Sequence, residues 1–286
     1  MSRAAAISLS LIAALLVAAG CGGDDDDSED EGSTAAAAQC EPGELATVTD
    51  GQLTVATDKP AFPPYFVNDD PTNGKGFESA TAYAIADQLG FSRDQVEWTV
   101  VPFNASFAPG PKDFDFDVNQ ISITPQRAEQ VDFSSPYYTA DQAVVAAKGS
   151  PAAEATSLAD LADANIGVQI GSTSLEAAEA SIQPTEEPQV FDTSNDVVSA
   201  LKQGQVDAIV VDVPTAFYVT AVQVPDGTIV GQFPAPGGDE WGALLEKDSP
   251  LTACVSQAID ELSDSGELQR IEDRWMSQVA GAPTLE

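Results

Sequence analysis

The sequence predicts an α/β protein of two lobes, and three observations lead there. From about Glu41 onward, short apolar runs of strand character alternate with segments of helical character. Glycines stand where helical runs should stop, at Gly90 and Gly204. Residues 41–286, about 246 in number, are a large set for one layered core and a comfortable one for two α/β lobes.

Leu53 to Thr57 reads as the first strand, Glu78 to Leu89 as a helix, and Gln95 to Val101 as a second strand with Val96, Trp98 and Val100 alternating. A third strand is expected over Val118 to Ile123, and Gln142 to Ala147 is apolar and extended. Then follow a helix at Leu158 to Ala162, a strand at Asn165 to Ile170 and a helix from Ser174 to Ser181. A helix from Asp196 to Gln203 leads into the strand Val206 to Val211. Asp212 ahead of Pro214 is expected to cap the next helix. Helices over Leu251 to Leu262 and Glu267 to Val279 end the chain, and no internal repeat is present.

The N-terminus carries an export pattern. Arg3 is the only charge ahead of an apolar run from Ala4 to Ala19, which is shorter than the ~20 residues of a spanning helix. The run ends in Leu16-Val17-Ala18-Ala19-Gly20-Cys21, which resembles a bacterial lipobox apart from Ala18, where Leu is usual. Residues 1–20 are therefore expected to be removed and Cys21 acylated; an ordinary signal peptide with a leftover thiol is the alternative. Residues 21–44 read as a disordered acidic tether, because Asp24 to Asp27 and Ser28 to Ala38 bring no large apolar side chain. The aspartate run lacks the Gly and distal Glu of a calcium loop.

The charge is −35, from 46 acidic and 11 basic residues, and the tether holds few of the acids. So acidic a body repels phosphate backbones and argues against nucleic acid. No histidine is present, which removes the commonest zinc ligand and general base; no metal and no cofactor are expected. With Cys21 acylated, Cys40 and Cys254 remain as a disulfide pair for an oxidising compartment, or else as two buried thiols.

Several segments then fall into a known order. Leu53-Thr54-Val55-Ala56-Thr57-Asp58 is followed by Phe62-Pro63-Pro64-Tyr65-Phe66 and by Gly76-Phe77-Glu78. Ile121-Ser122-Ile123-Thr124-Pro125-Gln126-Arg127 precedes Val131-Asp132-Phe133-Ser134-Ser135-Pro136-Tyr137. Gly171-Ser172-Thr173-Ser174 and Val206 to Asp212 come later. From Leu53 to Trp275 the chain resembles the amino-acid-binding branch of the extracytoplasmic solute receptors of ABC importers, solute-binding protein family 3. The resemblance implies a two-lobed periplasmic-binding-protein-like fold of type II, with the ligand cleft between lobes joined by two crossovers. Lobe one would be 45–140 plus 235–286, and lobe two, with the crossovers, 141–234. Asn119-Gln120, Gln169 and Ala80 depart from common family choices, which leaves the ligand open.

A zwitterionic amino acid needs an anion site and a cation site close together. Arg127, with its two parallel donors, matches the family's carboxylate clamp, and Asp212 would accept the ammonium. Ser172 and Thr173 offer donors at a helix start. Ser122 and the Gln120 backbone resemble further contacts, while Gln169 and Asp58 resemble side-chain readers. Phe62 and Phe103 match stacking positions, and Tyr65 does so less clearly. None of these positions other than Arg127 is basic, so a polar or cationic amino acid is expected, with glutamate and aspartate binding poorly.

The resemblance implies no enzymatic activity. The expected protein is a monomer, lipid-anchored outside the cell membrane, that closes on its ligand and docks on a permease. An enzyme on the same fold, of the cyclic-acid dehydratase kind, and a sensory ectodomain remain alternatives.

Overall fold

The computed structural model describes Cys40, residues 43–277 and residues 281–286. Residues 1–39, and with them the expected signal sequence, Cys21 and most of the expected tether, lie outside the described residues. Two five-stranded sheets form the frame, in the orders β2-β1-β3-β10-β4 and β7-β6-β8-β5-β9. The first uses β1 (Leu53–Thr57), β2 (Val96–Val100), β3 (Phe116–Asp117), β4 (Val131–Thr139) and β10 (Glu240–Glu246). The second uses β5 (Gln142–Ala146), β6 (Ile166–Gln169), β7 (Gln189–Phe191), β8 (Ala208–Asp212) and β9 (Thr228–Phe233). The chain passes between the sheets at 140–141 and again at 234–239, giving the two crossovers of a two-lobed receptor.

Each sheet is buried on both faces, and the strand period shows why. In β5, Val144 and Ala146 enter one apolar cluster with Val168 and Val210, while Ala143 and Val145 enter another with Leu201 and Ile209. The helices α4 (Thr173–Ala177), α5 (Ser194–Lys202) and α6 (Val213–Tyr218) cover this sheet. In the first lobe, α1 (Phe77–Gln88) packs with α7 (Thr252–Asp264) and α8 (Glu267–Trp275). The short helix α2 (Phe103–Ser106) lines the cleft with Phe103 and Asn104, and α3 (Pro125–Ala128) carries Arg127. Cys40 is bonded to Cys254 on α7, with Cα atoms 5.4 Å apart.

The structure corrects several sequence expectations. The strand expected over Val118 to Ile123 is only Phe116–Asp117, because Gln120 takes a left-handed φ of 49° and breaks the extended run. The helix expected at Leu158 to Ala162 is a single tight turn, Ala159–Leu161. The last helix ends at Trp275; residues 278–280, including Val279, lie outside the described residues. Residues 281–286, expected with lobe one, lie on the second sheet instead. Gln232 N donates to Pro283 O at 2.6 Å, Leu285 N donates to Gln232 O at 2.8 Å, and Leu285 is buried in the second lobe's core. Among the described residues no helix is long and apolar enough to cross a membrane.

Candidate functional site

Between the sheets lies a cleft of about 600 Å³, within the range of small-molecule sites. The C-terminal ends of β1, β6 and β8 deliver Asp58, Gln169 and Asp212 to it, where open α/β sheets place their ligands. Phe62, Phe103, Gln120, Ser172 and Thr173 also line it. Of the sequence-predicted residues, Ser122 and Arg127 do not reach the cavity wall; both are buried just behind it.

Arg127 is 8 % exposed and spans the lobes. It donates from Nη1 to Ser122 O at 2.7 Å and from Nη2 to Gly171 O at 2.9 Å, across the cleft. Its guanidinium lies 4.6 Å from the Phe107 ring centroid and 5.5 Å from that of Phe103. Burial pulls its pKa from the usual guanidinium range down to about 10, against the pull of Asp239 and Asp212, so it stays cationic at neutral pH.

Asp212 was expected to cap α6 with one oxygen, and it does not. Its Oδ1 instead accepts from Gln142 Nε2, on the neighbouring strand β5, at 2.7 Å. The side chain retains some surface exposure, yet both lobes enclose it. That enclosure, followed by the nearby Asp239 charge, raises its pKa well above the carboxylate range.

The remaining groups are held by specific partners. Asp58 accepts from its neighbour Lys59 N at 2.6 Å and from Phe103 N at 3.3 Å. Gln169 Oε1 accepts from Ser194 Oγ at 2.6 Å, and Ser172 Oγ donates to Gln169 O at 2.7 Å. Gln120 donates its backbone N–H to Glu78 Oε1 at 2.7 Å and its amide to Glu78 Oε2. Tyr137 OH donates to the same Glu78 at 2.6 Å. Thr173 Oγ1 and Ser122 Oγ meet across the lobes at 3.2 Å.

Other contacts across the cleft were not legible in the sequence. Phe62 stacks on Tyr218 with centroids 5.4 Å apart, and Tyr65 OH lies 2.9 Å from Thr215 Oγ1. Gln142 and Asp239 bracket Asp212, and the loop Asp192 to Asp196 forms one rim. The signal for that rim was the helix start after β7, Thr193 accepting from Asp196 N. Among the described cleft residues, Asp58, Asp192, Asp196 and Asp212 face a single ammonium, Lys59, which pairs with Asp69 at 3.6 Å.

Residues 53–278 match the family model described as bacterial extracellular solute-binding proteins, family 3. The chain belongs to that family. Its function is to bind a solute in the cleft between two lobes. It is 30 % identical over 207 residues to the arginine-binding extracellular protein ArtP of Bacillus subtilis, covering 71 % of this chain and 78 % of that one. An ancestral arginine-binding protein bound to glutamine superposes with a TM-score of 0.67 at 32 % identity, covering 79 % of this chain and 98 % of its own. The glutamate-binding protein GluB of Corynebacterium efficiens is 26 % identical over 238 residues, 80 % of each chain.

Proposed function

We propose that this family member captures a polar or cationic amino acid outside the cell and passes it, unaltered, to the permease of an ABC importer. One observation carries the ligand class: the acids lining the cleft outnumber its one ammonium, which is already paired. A cation is attracted to such a cleft, and a second carboxylate on the ligand is repelled. The likeness to arginine-binding relatives supports the same reading, and the glutamate-binding relative is the contrary case it must exclude.

In this reading Arg127, seated behind the cavity wall in the ligand-free protein, keeps two donors on Ser122 and Gly171 and turns others to the ligand carboxylate when the ligand enters. Asp212 receives the ammonium, and Asp58 and Gln169 read the side chain between Phe62 and Phe103. Ser172, Thr173 and Gln120 complete the polar wall, with Ser122 buried behind it against Thr173. Cys21, acylated after removal of residues 1–20, tethers the monomer to the membrane; Cys21→Ser should release it to the soluble fraction. A thermal-shift panel of the twenty amino acids tests the ligand. Arginine, lysine or glutamine should give the largest shifts, and a dominant shift with glutamate or aspartate refutes the reading. Product assays with cyclic acids should show no turnover; product formation would establish an enzyme instead.

A further inference from the structure

Asp239 stands on the second crossover, and no part of the site as described above assigns it a role. It is 1 % exposed. Its Oδ2 accepts from Gln142 Nε2 at 2.7 Å and from Thr173 Oγ1 at 3.1 Å, and its Oδ1 is buried with no partner. The same Gln142 Nε2 donates to Asp212 Oδ1 at 2.7 Å. An amide nitrogen has two hydrogens, so Gln142 is fully used in strapping the two carboxylates together. Ser174 Oγ donates to Gln142 Oε1 at 2.7 Å, which fixes the end of the amide that faces the acids.

Two enclosed carboxylates on one amide repel each other, and Arg127 is the one cation set against both. With both carboxylates ionised, one negative charge is left uncompensated. We propose that Asp239 is a positioning residue for the ligand cation: strapped to Asp212 by Gln142, it gives the site a carboxylate pair whose excess charge is matched by the ammonium of the bound amino acid. This rests on the amino-acid reading above. A purely structural Asp239 would satisfy both oxygens, and the orphaned Oδ1 is costly unless a charge nearby makes use of it. The place also suits coupling to closure. Ala140 N donates to Asp239 O at 2.8 Å, so the two crossovers are joined at the residue that senses the cation.

The titratable groups facing the pair from surrounding elements are Arg127, Glu78, Tyr65 and Tyr138. Burial first, and the Asp239 charge next, raise the Asp212 pKa, so the empty site holds the Asp212 proton more tightly than a free carboxyl would. An arriving ammonium lowers that pKa and expels the proton, so affinity rises with pH.

Titration calorimetry with L-arginine, in buffers of different ionisation enthalpy, reads this directly. The wild type should release part of a proton per ligand bound and bind more tightly as pH rises through the titration of Asp212. Asp239→Asn, which keeps the shape and the acceptor, should bind about tenfold more weakly and release no proton, while Asp239→Glu restores release. Unchanged release in Asp239→Asn overturns the proposal, whether or not affinity falls. If neither L-arginine nor any other amino acid binds the wild type, the ligand reading fails by itself. The pair is then judged in the ligand-free protein by carboxyl carbon-13 titration. A lower Asp212 midpoint in Asp239→Asn supports the pair, and an unmoved one overturns it.

Discussion

Replacing Glu78 by Gln should flatten the pH dependence of stability. Glu78 is fully buried beneath the cleft floor, where it holds Gln120 in its left-handed conformation and accepts from Tyr137. Burial pushes its pKa from 4.5 to about 7, despite the hydrogen bonds from Tyr137 and Gln120. Between those values the folded protein keeps a proton that the unfolded chain has lost. The stability from this group is therefore fully present below 4.5 and falls as pH rises through 7. At about 1.4 kcal/mol per pH unit the total is ~3.5 kcal/mol, or roughly 10 °C in melting temperature for a chain of this size. Glutamine carries no charge at any pH, and rotation of the Gln120 amide lets the pair bond again. Melting curves of the two proteins from pH 5 to 8.5 should converge at the acid end, and the wild type should lose the extra ~10 °C toward the basic end. Parallel curves, or a wild type whose melting temperature rises across this range, would refute the argument. Asp115, Asp117 and Asp212, also raised chiefly by burial, add slope in the same direction in both proteins; because the Glu78 charge is itself one of the causes raising Asp117 and Asp212, the difference between the curves reads Glu78 together with that coupling.

Three further outcomes are expected. Alkylation of the denatured, unreduced protein should label neither Cys40 nor Cys254, and replacing both by Ser should cost up to about 5 kcal/mol, the chain-entropy limit for so long a loop. Arg127→Ala and Asp212→Asn should each weaken ligand binding by ~2–5 kcal/mol in calorimetry while circular dichroism stays native. Gly171→Ala should weaken binding too, because its φ is +73° and a Cβ there would stand 2.7 Å from Asn104 Oδ1 on the opposite lobe. Adding Asn104→Ala should recover part of the loss; full binding by Gly171→Ala alone would remove the contact from closure.

The sequence revealed those elements whose own residues dictate them. The apolar runs of β1, β5, β6 and β8 and the glycine after α1 needed no distant partner to be recognised. It did not reveal β4, whose nine residues include Pro136 and mixed burial and which gains its form by pairing with β10. Nor did it reveal β7, a three-residue edge strand whose middle residue is exposed. At the site, eight of the ten predicted ligand residues line the cavity because each ends a strand, starts a helix or follows a strand end. Asp239 was hidden by its setting after Gly237-Gly238, which reads as a turn, and Gln142 by its apolar neighbours. Both matter through partners about 30 to 100 positions away, and no local pattern records such a distance.

Residues 281–286 alter the mechanics of the hinge. Helix α8 belongs to the first lobe, yet Leu285 is seated in the second, filling the space in front of Gly231, where an added Cβ would lie 2.6 Å from it. From Ser277 to Gly281 the chain spans four residue steps, at most about 14 Å when fully extended. While Leu285 stays seated, that length is a mechanical stop on how far the lobes can swing apart, in parallel with the two crossovers. It also means that a fluorophore attached beyond Glu286 reports the position of the second lobe, although its nearest helix along the chain moves with the first.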